Sequence, residues 1–399
     1  MNPQIEKLYR IAQQKERRII GLMSGTSLDG LDIALCRIGN SGQKTTLFLE
    51  NFTTISYNTA FRQYVREIFA KREINQQVLC GLHAYIGKKH GELVNQALKE
   101  WEIPPSDVDL IASHGQTVYH APRRLTGETT FPNSTLQIGD GDHIAYTTGI
   151  ITLSDFRQKH VAAGGEGAPL AVYGDYLLFT SETENRFLLN IGGISNFTFL
   201  PKQGNNLKKA YATDLGPGNT MMNQFVFEQF GLEMDKNAQI AKKGVVNTAL
   251  LEDLLTSPFF KEDFPKTTGP ELFNLAYLKN AQSVSNTSSL APEDILATLN
   301  KFAAQTITDG IKRASKDLES VHIYVSGGGV HNPLLMKNIR EALPSMSVSS
   351  FSTLGLNPDA KEACLFAVLA NETVAGSTSH VQHIKDSPAV CMGKISFPY

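Results

Sequence analysis

Two glycine-rich turns, each set between apolar runs of strand length, constrain this chain more than any other feature. The first reads Gly21-Leu22-Met23-Ser24-Gly25-Thr26-Ser27-Leu28-Asp29-Gly30, with apolar runs at 18–20 and 31–38. The second reads Leu188-Leu189-Asn190-Ile191-Gly192-Gly193-Ile194-Ser195-Asn196-Phe197. A strand that turns on glycine and returns can aim backbone N–H groups and hydroxyls at an anion, because glycine permits close approach. Two such hairpins, far apart in the chain, predict a duplicated domain that closes on a phosphorylated ligand.

The 399 residues suit roughly two domains of about 100–200 residues each. The net charge, 37 − 39 = −2, offers no general attraction for nucleic acid or an anionic membrane. Cys36, Cys80, Cys364 and Cys391 form no CxxC pair, which suits a reduced, cytoplasmic protein. No stretch approaches the ~18 apolar residues of a membrane span. Ile5, Leu8, Tyr9 and Ala12 stand at helical spacing among polar residues, which predicts an amphipathic N-terminal helix rather than a secretory signal.

Strand and helix signals alternate throughout, as in an α/β protein. Strands are expected at 18–23, 31–38, 109–113, 135–138 and 150–154, and helices at 61–79, 80–98 and 168–178. The pattern restarts with strands at 186–191 and 196–200, and 209–213 leads into Asp214. Gly216-Pro217-Gly218-Asn219 opens a helix, a longer one lies around 302–315, and 321–325 is an apolar strand. Asn332-Pro333 supplies an N-cap and an N1 proline for the next helix, and a last helix covers about 359–371. A boundary near 141–154 divides the chain into domains 1–145 and 146–375, with the tail 376–399 packing back on the first.

In the first turn Ser24, Gly25, Thr26, Ser27 and Gly30 can donate to phosphate oxygens, and Asp29 and Asp32 make sense beside phosphate through a bridging Mg²⁺. The same residues also suit a plain hairpin in which Asp29-Gly30 supplies turn geometry. Asp214, ahead of a Gly-Pro-Gly turn into a helix, can serve as a general base or simply cap that helix. Ser326-Gly327-Gly328-Gly329 is a strand–helix junction against which an adenine or ribose could lie, or a structural loop. Ser113-His114-Gly115-Gln116-Thr117 and the segment 155–160, with Arg157, could line a sugar site or form surface loops. Glu166 precedes a helix, and Glu362 lies on the last one, where a surface charge is equally natural. The ten histidines show no metal-ligand spacing, and no GxSxG or Cys/His pattern points to acyl transfer.

Taken together, these stretches resemble the anhydro-N-acetylmuramic acid kinase family of the sugar kinase/Hsp70/actin superfamily. They are GLMSGTSLDGLDIAL (21–35), SHGQT (113–117), QIGD (137–140), DFR (155–157), GGEGAPL (164–170), LNIGGISN (189–196), DLGPGN (214–219), PKTTG (265–269), FN (273–274) and SGGGVHN (326–332). They occur in family order and cover nearly the whole chain. The resemblance implies two ribonuclease-H-like, actin-like ATPase domains around a central cleft holding ATP and Mg²⁺. It implies an enzyme that opens the 1,6-anhydro ring of anhydro-N-acetylmuramic acid, phosphorylates O6 and serves cell-wall recycling.

Carried over residue by residue, Asp214 matches the base. Ser24, Gly25, Thr26, Ser27, Leu28, Asp29, Gly30, Leu31 and Asp32 match the nucleotide-phosphate segment. Gly192, Gly193, Gly216, Gly218, Asn219, Gly327, Gly328 and Gly329 complete the nucleotide set. Gln116, Thr117, Arg157 and Glu362 match sugar-facing positions, and no metal site of the protein's own is implied. The expected partners are an amino sugar and ATP, with no nucleic acid or membrane; a homodimer is compatible with this. The family commonly reads DFRRRD and GGQGAPL where this chain has Asp155–His160 and Glu166, and Pro270 stands where arginine is usual. A related kinase acting on an ordinary sugar hydroxyl, and a non-catalytic nucleotide-binding module, remain as alternatives.

Overall fold

The two hairpins return in the structure as the starts of two sheets with one strand order. The computed structural model describes residues 1–204 and 209–399. Its strands are β1 (Glu16–Ser24), β2 (Gly30–Gly39), β3 (Thr46–Ser56), β4 (Leu110–Ala121), β5 (Ser134–Ile138), β6 (Thr152–Ser154), β7 (Asn185–Ile191), β8 (Ile194–Leu200), β9 (Tyr211–Pro217), β10 (Val321–Ser326), β11 (Ser347–Ser350) and β12 (Lys394–Ser396). One sheet runs β12-β6-β4-β1-β2-β3 with β5 on β4, and the other runs β11-β10-β7-β8-β9. Each begins with an antiparallel meander, β1-β2-β3 or β7-β8-β9. Each then adds two parallel strands beside the first, β4 and β6 or β10 and β11. That order, occurring twice, is the ribonuclease-H-like arrangement of the actin-like ATPases.

The chain forms two compact units, Met1–Phe179 with Asp359–Tyr399, and Thr180–Pro358. The division falls at 179/180 and 358/359 rather than near 145 and 375, for two physical reasons. β6 hydrogen-bonds to β4 and to β12, so it cannot leave the first sheet. The last helix, Lys361–Ala375, lies on β1, where Gly21 leaves a bare strip of backbone. A Cβ at Gly21 would sit 1.8 Å from the Ala363 carbonyl oxygen. Arg17 Nε fastens the same helix by donating to Asn371 Oδ1 at 2.7 Å.

The helices differ from expectation where backbone chemistry overrides periodicity. Instead of helices at 61–79 and 80–98, the chain forms Thr59–Arg66 and Gln76–Glu100. Between them Ala70 is left-handed (φ 56°) and its N–H donates to Val118 O, and Asn75 then caps the long helix by accepting from Gln77 and Val78. β9 continues to Pro217, so Asp214 lies within a strand and not at its end. β3 escaped the apolar pattern because most of its residues are only half-buried on the sheet edge.

Each unit has its own core. The first packs Ile20, Leu22, Ile33, Phe61, Ile86 and Ile111, and the second packs Phe187, Leu189, Phe197, Phe199, Phe302 and Ile323. Phe187 meets Phe197 edge-on with ring centroids 4.9 Å apart, and each such ring contributes about 1.5–3 kcal/mol by burial. No helix among the described residues is long and apolar enough to cross a membrane.

Candidate active site

In the first unit the β1–β2 turn is built by a tight Gly25–Leu28 reversal, closed by the Leu28 N–H on Gly25 O at 3.3 Å. Leu28 takes the left-handed conformation (φ 61°) with its side chain buried, which is strained for a bulky residue. Thr26, Ser27 and Asp29 reach solvent, Gly25 and Asp32 are half-buried, and Gly30 and Leu31 are buried. Gly30 is required by packing: a Cβ there would lie 2.5 Å from Ile55 O of β3.

Ser24 and Gln116, expected at the phosphate and the sugar respectively, meet each other beneath the turn. Ser24 Oγ donates to Gln116 Oε1 at 2.5 Å, and Gln116 Nε2 donates to Gly25 O at 3.3 Å. Both side chains are buried. Thr117 lies next along β4, its hydroxyl accepting from Gln137 Nε2 at 3.1 Å. Tyr57 and His90, which nothing in the local sequence marks, extend this cluster inward.

Acidic and basic groups gather around the same turn. Burial raises the Asp32 carboxyl above the usual range, Thr54 donating at 2.6 Å pulls it back, and Asp359 and Asp29 raise it further. Glu362 is open to solvent yet hemmed in by protein, as at the mouth of a concavity lined by Asp175, Lys361 and Leu365. Its carboxyl is raised by that desolvation; Lys361 and Arg157 oppose the shift, and Asp32 and Asp175 add to it. Arg157 donates from Nε to His114 Nε2 at 3.0 Å and from Nη1 to Gly167 O at 2.8 Å, and burial lowers it to about 10. Burial also holds His114 at about 3, so it stays neutral and accepts from Arg157. Two of the residues that depart from the family pattern find partners close by. Glu166 accepts both of its 2.8 Å contacts from Arg124 Nε, and His160 Nδ1 accepts from the Gly167 N–H.

In the second unit three glycine junctions from distant parts of the sequence converge. The N–H groups of Gly218 and Asn219 donate to Gly193 O and Gly192 O, both at 2.8 Å, and the Thr220 N–H donates to Gly193 O at 3.1 Å. These donors of the Gly216–Asn219 turn therefore stitch it to the β7–β8 turn. A Cβ at Gly218 would lie 2.4 Å from Gly192 O. Gly327 (φ 84°) would press a Cβ to 2.7 Å from Ile191 O, and Gly329 would meet the Ile191 side chain at 2.2 Å. A Cβ at Gly328 would meet only Asn219 Nδ2, at 3.8 Å, and one at Gly192 likewise only ordinary contacts. Gly216 (φ 141°) abuts Phe260 and Thr306.

Asp214 stands on β9 opposite Asn196. Its Oδ2 accepts from the Thr268 N–H at 2.9 Å and its own N–H donates to Lys266 O at 2.9 Å. Thr213 Oγ1 accepts from the Lys266 N–H at 2.9 Å. The segment Pro265–Gly269, matched in sequence but given no role there, thus brackets the carboxylate. Behind it the buried Lys266 ammonium lies 4.0 Å over the Phe259 ring and is lowered to about 8 by desolvation. Among the described residues no group of three His, Cys, Asp or Glu could hold a metal ion.

The sequence model of the anhydro-N-acetylmuramic acid kinases matches residues 17–396. The chain is 53% identical over 401 residues to the anhydro-N-acetylmuramic acid kinase of Pseudoalteromonas atlantica, with both chains covered completely. It is 51% identical to that of Pseudoalteromonas translucida over 400 residues, again covering both. With the kinase of Caldanaerobacter subterraneus subsp. tengcongensis it shares 36% over 396 residues, 98% of this chain and 100% of the other.

Proposed function

The chain belongs to the anhydro-N-acetylmuramic acid kinase family, and from that premise we propose that it hydrolyses the 1,6-anhydro bridge of anhydro-N-acetylmuramic acid and phosphorylates O6 with ATP. The observation that carries this reading is the Asp214 carboxylate, held by the Thr268 N–H on a strand that runs directly into the glycine junctions. Asp214 takes a proton from water as the water oxygen attacks the anomeric carbon. The bond from that carbon to O6 breaks, O6 bonds to the γ-phosphorus, and ADP leaves. One water and one ATP are consumed per 6-phosphosugar formed, and no protein nucleophile is needed, because phosphoryl transfer depends on positioning and electrostatics.

Thr26, Ser27 and the backbone of 25–29 suit the nucleotide phosphates, being exposed or half-buried in the turn. The backbone at Gly328, where a Cβ would meet nothing closer than 3.8 Å, suits a ribose or base. Arg157, Thr117 and Glu362 suit the sugar, and Gln116 serves by holding the turn. Asp29 and Asp32 fit a nucleotide-bound magnesium ion, which keeps its waters and takes one or two carboxylates. When bound, that ion neutralises charge on the transferring phosphoryl group. The free cysteines Cys36, Cys80, Cys364 and Cys391 accord with work in a reducing cytoplasm, within cell-wall recycling.

Asp214→Asn tests the assignment, because it keeps the shape and the acceptor for Thr268 while removing the base. The expected result is a kcat lower by about 10³-fold with Mg-ATP binding retained; near-normal turnover would overturn the role of Asp214.

A further inference from the structure

Beneath the β1–β2 turn lies a chain of four buried side chains whose hydrogens can be assigned without ambiguity. It ends on backbone carbonyls, which only accept: Gln116 Nε2 donates to Gly25 O at 3.3 Å and to Thr117 O at 3.2 Å. Gln116 Oε1 therefore faces Ser24 and accepts its hydroxyl hydrogen at 2.5 Å. With that hydrogen committed, the 2.9 Å contact between Tyr57 and Ser24 requires the phenol to donate. The phenol oxygen then accepts from His90 Nε2 at 2.9 Å, so His90 carries its hydrogen on Nε2 and leaves Nδ1 bare. All four side chains are at most 4% exposed.

Tyr57 holds the turn at both ends. Its hydroxyl reaches Ser24 at the start, and its backbone N–H donates to Asp29 O at 3.0 Å at the finish. Between these points sits the strained, buried Leu28. A strained residue persists only where its surroundings over-determine it. We propose that Tyr57 and His90 are positioning residues for nucleotide binding, holding the β1–β2 turn in its phosphate-ready shape through a one-way hydrogen-bond chain that ends on Gly25. Ser24 is then a strut whose hydroxyl hydrogen points inward, and the donors offered to phosphate are Thr26, Ser27 and the turn backbone. The burial that keeps His90 neutral, at about 3, accords with a ring that only passes on a fixed hydrogen. The proposal rests on the reading that this turn receives the nucleotide phosphates.

The test uses the full chain. Steady-state kinetics with Mg-ATP and anhydro-N-acetylmuramic acid are compared for wild type, Tyr57→Phe, Ser24→Ala and the double variant. Tyr57→Phe is expected to raise KM for ATP about tenfold with kcat within about twofold, since one buried hydrogen bond is lost and another donor is stranded. Ser24→Ala should do the same, and the double variant should be no worse, because the groups act as one chain. His90→Gln, which keeps an N–H donor, should stay near wild type while His90→Leu should resemble Tyr57→Phe. Nitrogen-resolved NMR of the His90 ring should show hydrogen on Nε2 alone. An unchanged KM for ATP in Tyr57→Phe, equal behaviour of the two His90 variants, or hydrogen on Nδ1 would each overturn the proposal. The reading beneath it fails separately: a Thr26→Ala/Ser27→Ala variant with unchanged KM for ATP would move the phosphates elsewhere, whatever the His90 tautomer.

Discussion

At Asp32 the surroundings favour the neutral acid: burial raises the carboxyl, Thr54 offsets part of the rise, and Asp359 and Asp29 add to it. A carboxyl raised in the folded state binds more protons folded than unfolded, so the stability it contributes is complete at low pH and is lost as pH rises through the folded pKa. Asp32→Asn is therefore expected to raise the thermal midpoint at neutral pH, an advantage that shrinks as pH falls and is gone below about pH 3, where both states of the wild type are protonated. Calorimetry at two pH values reads that difference. The same variant should raise KM for Mg-ATP about tenfold, the pattern of a site that trades stability for binding. Such a trade was legible in part. The acid's presence beside glycines and hydroxyls could be read from Ser24–Asp32, but its depressed ionisation depends on burial and on Asp359, with Thr54 opposing, and these come from other parts of the chain.

Among the elements, glycines show most plainly how sequence and packing divide the explanation. The turn glycines were visible as motifs, yet most are fixed by a neighbour that the motif does not contain. Gly30 answers to Ile55, Gly218 to Gly192, Gly327 to Ile191, and Gly21 to a helix that begins 340 residues later at Lys361. Gly21→Ala is expected to lift the helix Lys361–Ala375 from β1 and destabilise the protein by about 3 kcal/mol or more, as overpacking against backbone does. Gly328→Ala, with nothing closer than 3.8 Å, should leave stability unchanged within about 0.5 kcal/mol. Denaturant unfolding of the two variants distinguishes them; equal losses would contradict the packing account. The hairpins β1–β2 and β7–β8 were readable because their turns carry glycine and their strands are apolar. The break at Ala70 and the length of β9 were not, since Val118 supplies the deciding hydrogen bond for the first and pairing of Ile194 and Ser195 with Pro217 and Gly216 carries the second past Asp214.

At the scale of the whole molecule, the second unit is one continuous segment with its own five-stranded sheet and core, whereas the first is assembled from two. A protein ending at Pro358 loses β12 and the helix that covers Gly21, and should fail to fold its first unit, while Thr180–Pro358 alone should give a cooperative unfolding transition. The sequence revealed the duplication and the return of the tail 376–399 to the first unit, but not that the helix Lys361–Ala375 returns with it, because the bare backbone of Gly21 on which that helix lies carries no local signal of its partner. The central claim, coupled ring opening and phosphoryl transfer, is tested most directly by mass spectrometry of the product formed from anhydro-N-acetylmuramic acid and Mg-ATP in ¹⁸O-labelled water, quenched before anomeric exchange. The account predicts N-acetylmuramic acid 6-phosphate carrying one labelled oxygen at the anomeric carbon. An unlabelled phosphosugar that keeps the anhydro bridge would contradict it.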